Sequence, residues 1–158
     1  MLDPSLLFEI FKKRGISFYT GVPDSLLKSF CSFVQESSDK NNHIIAANEG
    51  NAVAIASGYY LSTGRISVVY LQNSGLGNCI NPLTSLTDKE VYSIPMILLI
   101  GWRGEPGLKD EPQHLKQGRT TKNQLKSIDL DFFTIDESSA FVIKSAEKRF
   151  IISVDSSL

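Results

Sequence analysis

Charge of one sign is the first thing this sequence lacks. Its 158 residues carry 16 Lys and Arg against 17 Asp and Glu, a formal net charge of −1 at pH 7. A nucleic-acid binder usually carries a basic surplus, so that class of partner is disfavoured. Cysteine is scarce as well. Cys31 and Cys79 stand far apart and form no CxxC, which supports neither a zinc cluster nor a disulfide framework and points to reduced, intracellular thiols. No apolar run is long enough to span a bilayer, since the most apolar stretch, 91–102, is short and contains Pro95. Asp3, Pro4 and Glu9 break up any signal-like run at the start. The expectation is a soluble, cytoplasmic protein with no membrane contact. Phosphate-loop signatures are missing too: there is no GxxxxGK[ST], and Ile80 occupies the third glycine position of a would-be GxGxxG.

What is present alternates. Pro4 opens a helix behind Asp3, with Leu6, Leu7, Ile10 and Phe11 as its apolar stripe and Gly15 as its stop. Residues 16–20 read as a short strand. Gly21-Val22-Pro23-Asp24-Ser25 then turns into a second helix that buries Leu26, Leu27, Phe30, Phe33 and Val34. A strand is expected at 43–47, a helix at 50–63 ended by Gly64, and a β-branched buried strand at 66–71. A loop and helix cover 73–86, where Pro82 is expected to kink or restart the helix. An apolar strand at 95–100, a surface loop at 103–112, a polar helix at 113–127 and a strand at 132–135 follow. The tail, 141–154, reads as one or two strands. There is no internal repeat. The pattern predicts a single α/β domain with a parallel sheet covered by helices on both faces.

The distribution of charge is more informative than its total. Between residues 44 and 87 only Glu49 and Arg65 are charged, where the chain average predicts roughly nine. The 50–63 helix is Ala, Val, Ile, Ser, Gly and Tyr all round, and a helix without a polar face is expected to be buried on every side. An interface through 50–61 follows as an expectation. Glu49 stands at a strand-to-helix junction, where open parallel sheets bind ligands. Its competing reading is a carboxylate that merely stabilises the helix N-terminus. An unpaired acid in apolar surroundings is costly, which favours a functional role.

Four other groups need weighing. The Gln72-Asn73-Ser74-Gly75-Leu76-Gly77-Asn78 loop ends the next strand and serves equally well as a tight turn or as a binding loop. Asp24 suits a helix cap, and His114 is either a solvated surface residue or a proton-transfer group. Lys109, Lys116 and Arg119 flank His114, so this region also suits an anionic substrate. Cys79 reads as a small core residue.

Gly21-Val22-Pro23-Asp24-Ser25, Ala47-Asn48-Glu49-Gly50-Asn51-Ala52, the 72–78 loop, Ile100-Gly101-Trp102-Arg103-Gly104 and Asp110-Glu111-Pro112-Gln113-His114 occur in register. Together they closely resemble the N-terminal pyrimidine-binding domain of phosphonopyruvate decarboxylases, with the sulfopyruvate decarboxylase alpha subunit as a close relative. The resemblance covers about residues 1–145. It implies a thiamine-diphosphate-binding fold and decarboxylation of a 2-oxo acid, with phosphonopyruvate giving phosphonoacetaldehyde and CO2. It also implies that Glu49 hydrogen-bonds N1′ of the aminopyrimidine. Pro23, Asn73, Ser74, Gly75, Leu76 and Asn78 would line the cofactor and substrate pocket, and Asp24 and His114 would serve protonation steps.

The family holds Mg2+ and the diphosphate on a second domain marked by Gly-Asp-Gly, and this sequence contains no Gly-Asp-Gly. The resemblance therefore implies a partner, either a diphosphate-binding domain or a beta subunit, in a homo- or hetero-oligomer. It also implies that the chain is inactive alone. A different class remains open: a non-catalytic α/β anion-binding or regulatory domain.

Overall fold

The computed structural model describes residues 4–135 and 150–154. Five helices and six strands alternate: α1 Pro4–Lys13, β1 Phe18–Gly21, α2 Lys28–Ser37, β2 His43–Ile45, α3 Glu49–Thr63, β3 Ser67–Gln72, α4 Leu76–Ser85, β4 Ile97–Gly101, α5 Pro112–Ser127, β5 Phe132–Ile135 and β6 Phe150–Val154. A single 3-10 turn, Asn73–Gly75, leads into α4. The strands form one sheet in the order β2-β1-β3-β4-β6-β5, and every pairing is parallel. The α/β architecture expected from the alternation is the one observed. Of the tail, 150–154 forms β6, while 141–149 and the Asp3 cap lie outside the described residues.

Side chains alternate across the sheet, so the apolar runs in β3 and β4 feed two cores. Val69, Leu71, Leu98 and Ile100 pack with Val53 and Leu76 on the face covered by α3 and α4. Val68, Tyr70, Ile97 and Leu99 pack with Phe11 and Phe30 on the face covered by α1 and α2. A strand buried on both sides cannot show hydrophobic alternation, which is why these segments read as continuous runs. Gly15, at φ 75°, and Gly64, at φ 68°, end α1 and α3 in the left-handed region that glycine favours.

Two expectations change. The α3 helix is not buried on every side within this chain. It buries Ala52, Val53, Ala56 and Ser57 but exposes Asn51, Ala54, Gly58 and Leu61. Because the sheet covers only one side of the helix, its outer stripe of small, uncharged residues stays open. Pro82 does not restart α4 either, for the helix runs unbroken from Leu76 to Ser85. The carbonyl four residues before Pro82, that of Asn78, loses its usual helical donor. That carbonyl instead lies against Gly50 of α3, where a Cβ would approach to 2.6 Å.

Two glycines of α3 should therefore respond in opposite ways. Gly50→Ala forces backbone apart and should destabilise by about 1–3 kcal/mol. Gly58→Ala meets nothing within 4 Å and should stabilise by about 0.5–1 kcal/mol. Urea denaturation of both variants checks the contrast.

Candidate functional site

The chain leaves β1 toward β2 on one side and leaves β3 toward β4 on the other. Between two such strands the connections diverge and open a crevice at the carboxyl ends, the usual ligand position in open parallel sheets. The Gly21–Ser25 turn follows β1 here, and the 72–78 loop follows β3. The two strands are tightly appressed at this point: the Val22 amide donates to the Tyr70 carbonyl at 3.1 Å, and a Cβ on Gly21 would overlap Tyr70.

Glu49 sits beyond β2, in the first turn of α3. Asn48 caps that helix, its Oδ1 accepting the Asn51 amide at 2.9 Å, so the helix does not need Glu49 as its cap. The Glu49 carboxylate turns instead to α4, where Oε2 accepts a 2.7 Å hydrogen bond from Asn78 Nδ2. The carboxyl group lies on Gly75, and a Cβ at that glycine would overlap it. No other charged side chain from 44–87 except Arg65 exists to pair with it. Anchored through one oxygen, with no hydrogen bond to Oε1 among the described residues, the carboxylate has a lone-pair face left for a ligand.

The rest of the 72–78 loop divides. Asn78 meets Glu49, and Gly75 backs it. Ser74 is exposed and accepts from Gln72 Nε2 at 2.7 Å. The Asn73 side chain is 1% exposed and turned inward. Its Nδ2 donates to the Arg103 carbonyl and to Thr121 Oγ1, both at 2.9 Å, while Oδ1 accepts the Arg103 amide at 3.2 Å. Both amide hydrogens are thus taken up by the protein. Leu76 is fully buried in the α3–α4 core, so its side chain lines no open pocket within this chain.

Asp24 lies on the other bank of the crevice, 6% exposed, against Gly101 at the end of β4. Oδ2 accepts the Leu26 amide at 3.1 Å, and Oδ1 has no hydrogen-bond partner among the described residues. Burial pushes its pKa up, while the amides of Leu26, Leu27 and Ser25 and the Arg103 charge pull the other way. With Pro23, Ser25, Lys28, His43 and Tyr70, Asp24 lines a cleft of about 320 Å³. His43 Nε2 and the Tyr70 hydroxyl share a 2.7 Å hydrogen bond there, and burial lowers the His43 pKa. Cys31, in the same cleft, is held as the thiol, pushed up to about 11 by burial.

His114 begins α5, and its imidazole makes no hydrogen bond to another described residue. The Gly104 backbone packs against the His114 carbonyl. Lys109, Lys116 and Arg119 are exposed around it. Sequence reasoning did not anticipate the pairing of Arg103 with Asp110, which organises this loop. Arg103 Nε and Nη2 donate to the two Asp110 oxygens at 3.0 and 2.5 Å, and Nη1 donates to Ser25 Oγ at 2.9 Å. Two opposite charges closing a Gly- and Pro-rich segment were the available signal. The fold brings Asp24, Arg103, Asp110 and the start of the His114 helix together. Among the described residues Glu49 shares no hydrogen bond or ion pair with that group. Among the described residues no group of three or more His, Cys, Asp or Glu is placed to hold a metal, and no helix is long and apolar enough to cross a membrane.

A parallel α/β domain with a lone carboxylate beside its switch-point crevice belongs to the class of cofactor-binding domains. The chain is, more particularly, a member of the family of thiamine pyrophosphate enzyme N-terminal TPP binding domains, which residues 5–127 match. It is 38% identical over 125 residues to the phosphonopyruvate decarboxylase of Streptomyces viridochromogenes, covering 79% of this chain but 30% of that protein. It is 33% identical over 144 residues to the sulfopyruvate decarboxylase subunit alpha of Methanococcus maripaludis, covering 89% of this chain and 83% of that subunit. Benzoylformate decarboxylase from Polynucleobacter necessarius shares the fold, with a TM-score of 0.69 at 19% identity over 96% of this chain and 29% of that one. The chain thus spans under a third of the phosphonopyruvate decarboxylase that it matches.

The site has its own acid signature. Burial raises the Asp110 pKa, but the Arg103 fork and the amides of Gly104 and Glu111 outweigh it and hold the carboxyl down to about 2. A carboxyl lowered by folding contributes stability above its unfolded pKa and loses it as pH falls through the folded value. Asp110→Asn should lower the melting temperature at pH 7 and flatten the loss of stability between about pH 4 and 2, as thermal unfolding across pH would show.

Proposed function

We propose that this chain is the pyrimidine-holding half of a thiamine-diphosphate-dependent 2-oxo acid decarboxylase, with phosphonopyruvate as its substrate. A diphosphate-binding domain or beta subunit carrying Mg2+ completes the enzyme. The observation that carries this reading is the Glu49 carboxylate, anchored by Asn78 against Gly75 in an uncharged surface, with one oxygen free. That donor set suits an aminopyrimidine, whose ring nitrogen needs a single carboxylate partner and whose flat face needs close backbone. Thiamine diphosphate, when bound, supplies the electron sink that takes up the electron pair left by departing CO2.

Glu49 then has one task, holding a proton between its free oxygen and N1′ of the aminopyrimidine. Excluding water from that bond strengthens it. The partner unit does so by covering the outer stripe of α3, where Asn51, Ala54, Gly58 and Leu61 carry no charge to desolvate. Across the crevice, Asp24 and His114 are the proton donors and acceptors toward the 2-oxo acid. The raised pKa of Asp24 suits it to hold a proton closer to neutral pH than an ordinary carboxyl does. The exposed Lys109, Lys116 and Arg119 attract an anionic three-carbon acid. A second reading, the alpha subunit of a sulfopyruvate decarboxylase in the cytoplasm, is favoured by the identity that runs over 83% of such a subunit.

Isolating the chain from its native source with whatever accompanies it, then assaying the complex on both oxo acids, tests the proposal. Thiamine-diphosphate-dependent release of CO2 is expected, and Glu49→Gln should reduce it by at least about 100-fold without altering the circular dichroism of the fold. Wild-type turnover in Glu49→Gln overturns the role of Glu49. A chain that is recovered without any partner, binds phosphate as a monomer and gains no affinity for thiamine diphosphate when a diphosphate-binding unit is supplied overturns the enzyme reading in favour of an anion-binding domain.

A further inference from the structure

Asp24 and His114 ride on different elements, the turn after β1 and the first turn of α5, and one side chain joins those elements. Arg103, just past the end of β4, donates from Nη1 to Ser25 Oγ at 2.9 Å, on the residue next to Asp24. Its other two nitrogens grip Asp110. Asp110 in turn accepts the Gly104 and Glu111 amides, each at 2.7 Å, which closes the 103–111 loop onto the start of α5. The Arg103 backbone is itself clamped by Asn73, which reaches on to Thr121 in α5. The ion pair is largely enclosed, with side-chain exposures of 20% for Arg103 and 8% for Asp110. It is therefore not the exposed, screened kind that contributes little.

We propose that Arg103 is a positioning residue, bridging Ser25 to Asp110 so that the Asp24 carboxyl and the start of the His114 helix keep a fixed relation across the crevice. The meaning of that relation for catalysis rests on the decarboxylase reading, whereas the bridge itself does not. A residue that only stapled the loop would leave Asp24 unaffected. Arg103 does more, because its charge opposes the effect of burial on Asp24. The other groups facing Asp24 are Lys28 and Cys31 from α2, His43 from β2 and Tyr70 from β3, while Gly101 of β4 presents backbone alone. Burial keeps Cys31 and Tyr70 protonated and His43 neutral near pH 7. Among the described residues, Arg103 and the exposed Lys28 are the cations left to act on Asp24, and Lys28 is screened by water.

The test is a carboxyl carbon-13 NMR titration of Asp24 in the full chain, which needs neither cofactor nor partner. Arg103→Gln should raise the Asp24 midpoint, because the one cation that opposes burial there is removed. Arg103→Lys should restore most of that shift, since the charge returns while the fork that grips both Ser25 and Asp110 does not. An unchanged midpoint in folded Arg103→Gln overturns the proposal. Should that variant fail to fold, Ser25→Ala removes only the tether to the turn. It should raise the midpoint by a smaller amount, and an unchanged midpoint there equally overturns the proposal. In the assembled enzyme, the acid limb of the kcat/KM profile should move with the Asp24 midpoint. A midpoint that moves in the chain while that limb stays still upholds the bridge and counts against Asp24 as a proton-transfer group, so the two readings fail separately.

Discussion

The burial of β3 on both faces is the constraint on which the rest of the structure depends. Val68, Val69, Tyr70 and Leu71 are each fully covered, two toward α1 and α2 and two toward α3 and α4. Each such side chain contributes on the order of 1.5–3 kcal/mol relative to exposure. The strand is hydrogen-bonded to β1 on one side and β4 on the other, so it cannot shift register without undoing both ladders. Its carboxyl end is therefore a fixed point. Asn73 extends that rigidity sideways into the β4–α5 loop, and Gly75 extends it to Glu49.

The candidate site is assembled from parts that are individually ordinary. Asn48 caps α3 and leaves Glu49 free of that duty. Asn78 takes one Glu49 oxygen and leaves the other. Gly50 and Gly75 let α3, α4 and the 3-10 turn approach closely enough for that bond to form. On the opposite bank, Gly101 admits the Asp24 carboxyl and Gly104 admits the start of α5. Small residues stand where backbones or carboxylates must come within contact distance, and charges stand where they are gripped.

Much of the fold was legible in the chain because its physical causes are local. The β-branched run ending at Leu71, the glycine stops at Gly15 and Gly64 and the polar α5 each announce themselves within a few residues. Glu49 was legible for a different reason: an acid alone in a long uncharged band is conspicuous whatever the fold. The inward turn of Asn73 was not legible, because an Asn in a glycine-rich loop looks the same whether its amide faces a ligand or a buried carbonyl. Which side of α3 faces the sheet was not legible, for want of any polar residue to mark its outer face. The pairing of Arg103 with Asp110 was not anticipated, because a loop rich in charge usually signals solvent.

The sequence by itself determined the alternation of strands and helices, the parallel sheet and the family, since these rest on periodicity, turn chemistry and motifs in register. It also singled out Glu49. Only the tertiary structure decided that Asn78 holds that carboxylate, that Asn73 faces inward, that one stripe of α3 stays open and that Arg103 joins Ser25 to Asp110. The Glu49–Asn78, Asn73–Arg103 and Ser25–Arg103 contacts link residues 29, 30 and 78 positions apart. At such separations chain proximity carries no information, and the packing of the sheet chooses the neighbour.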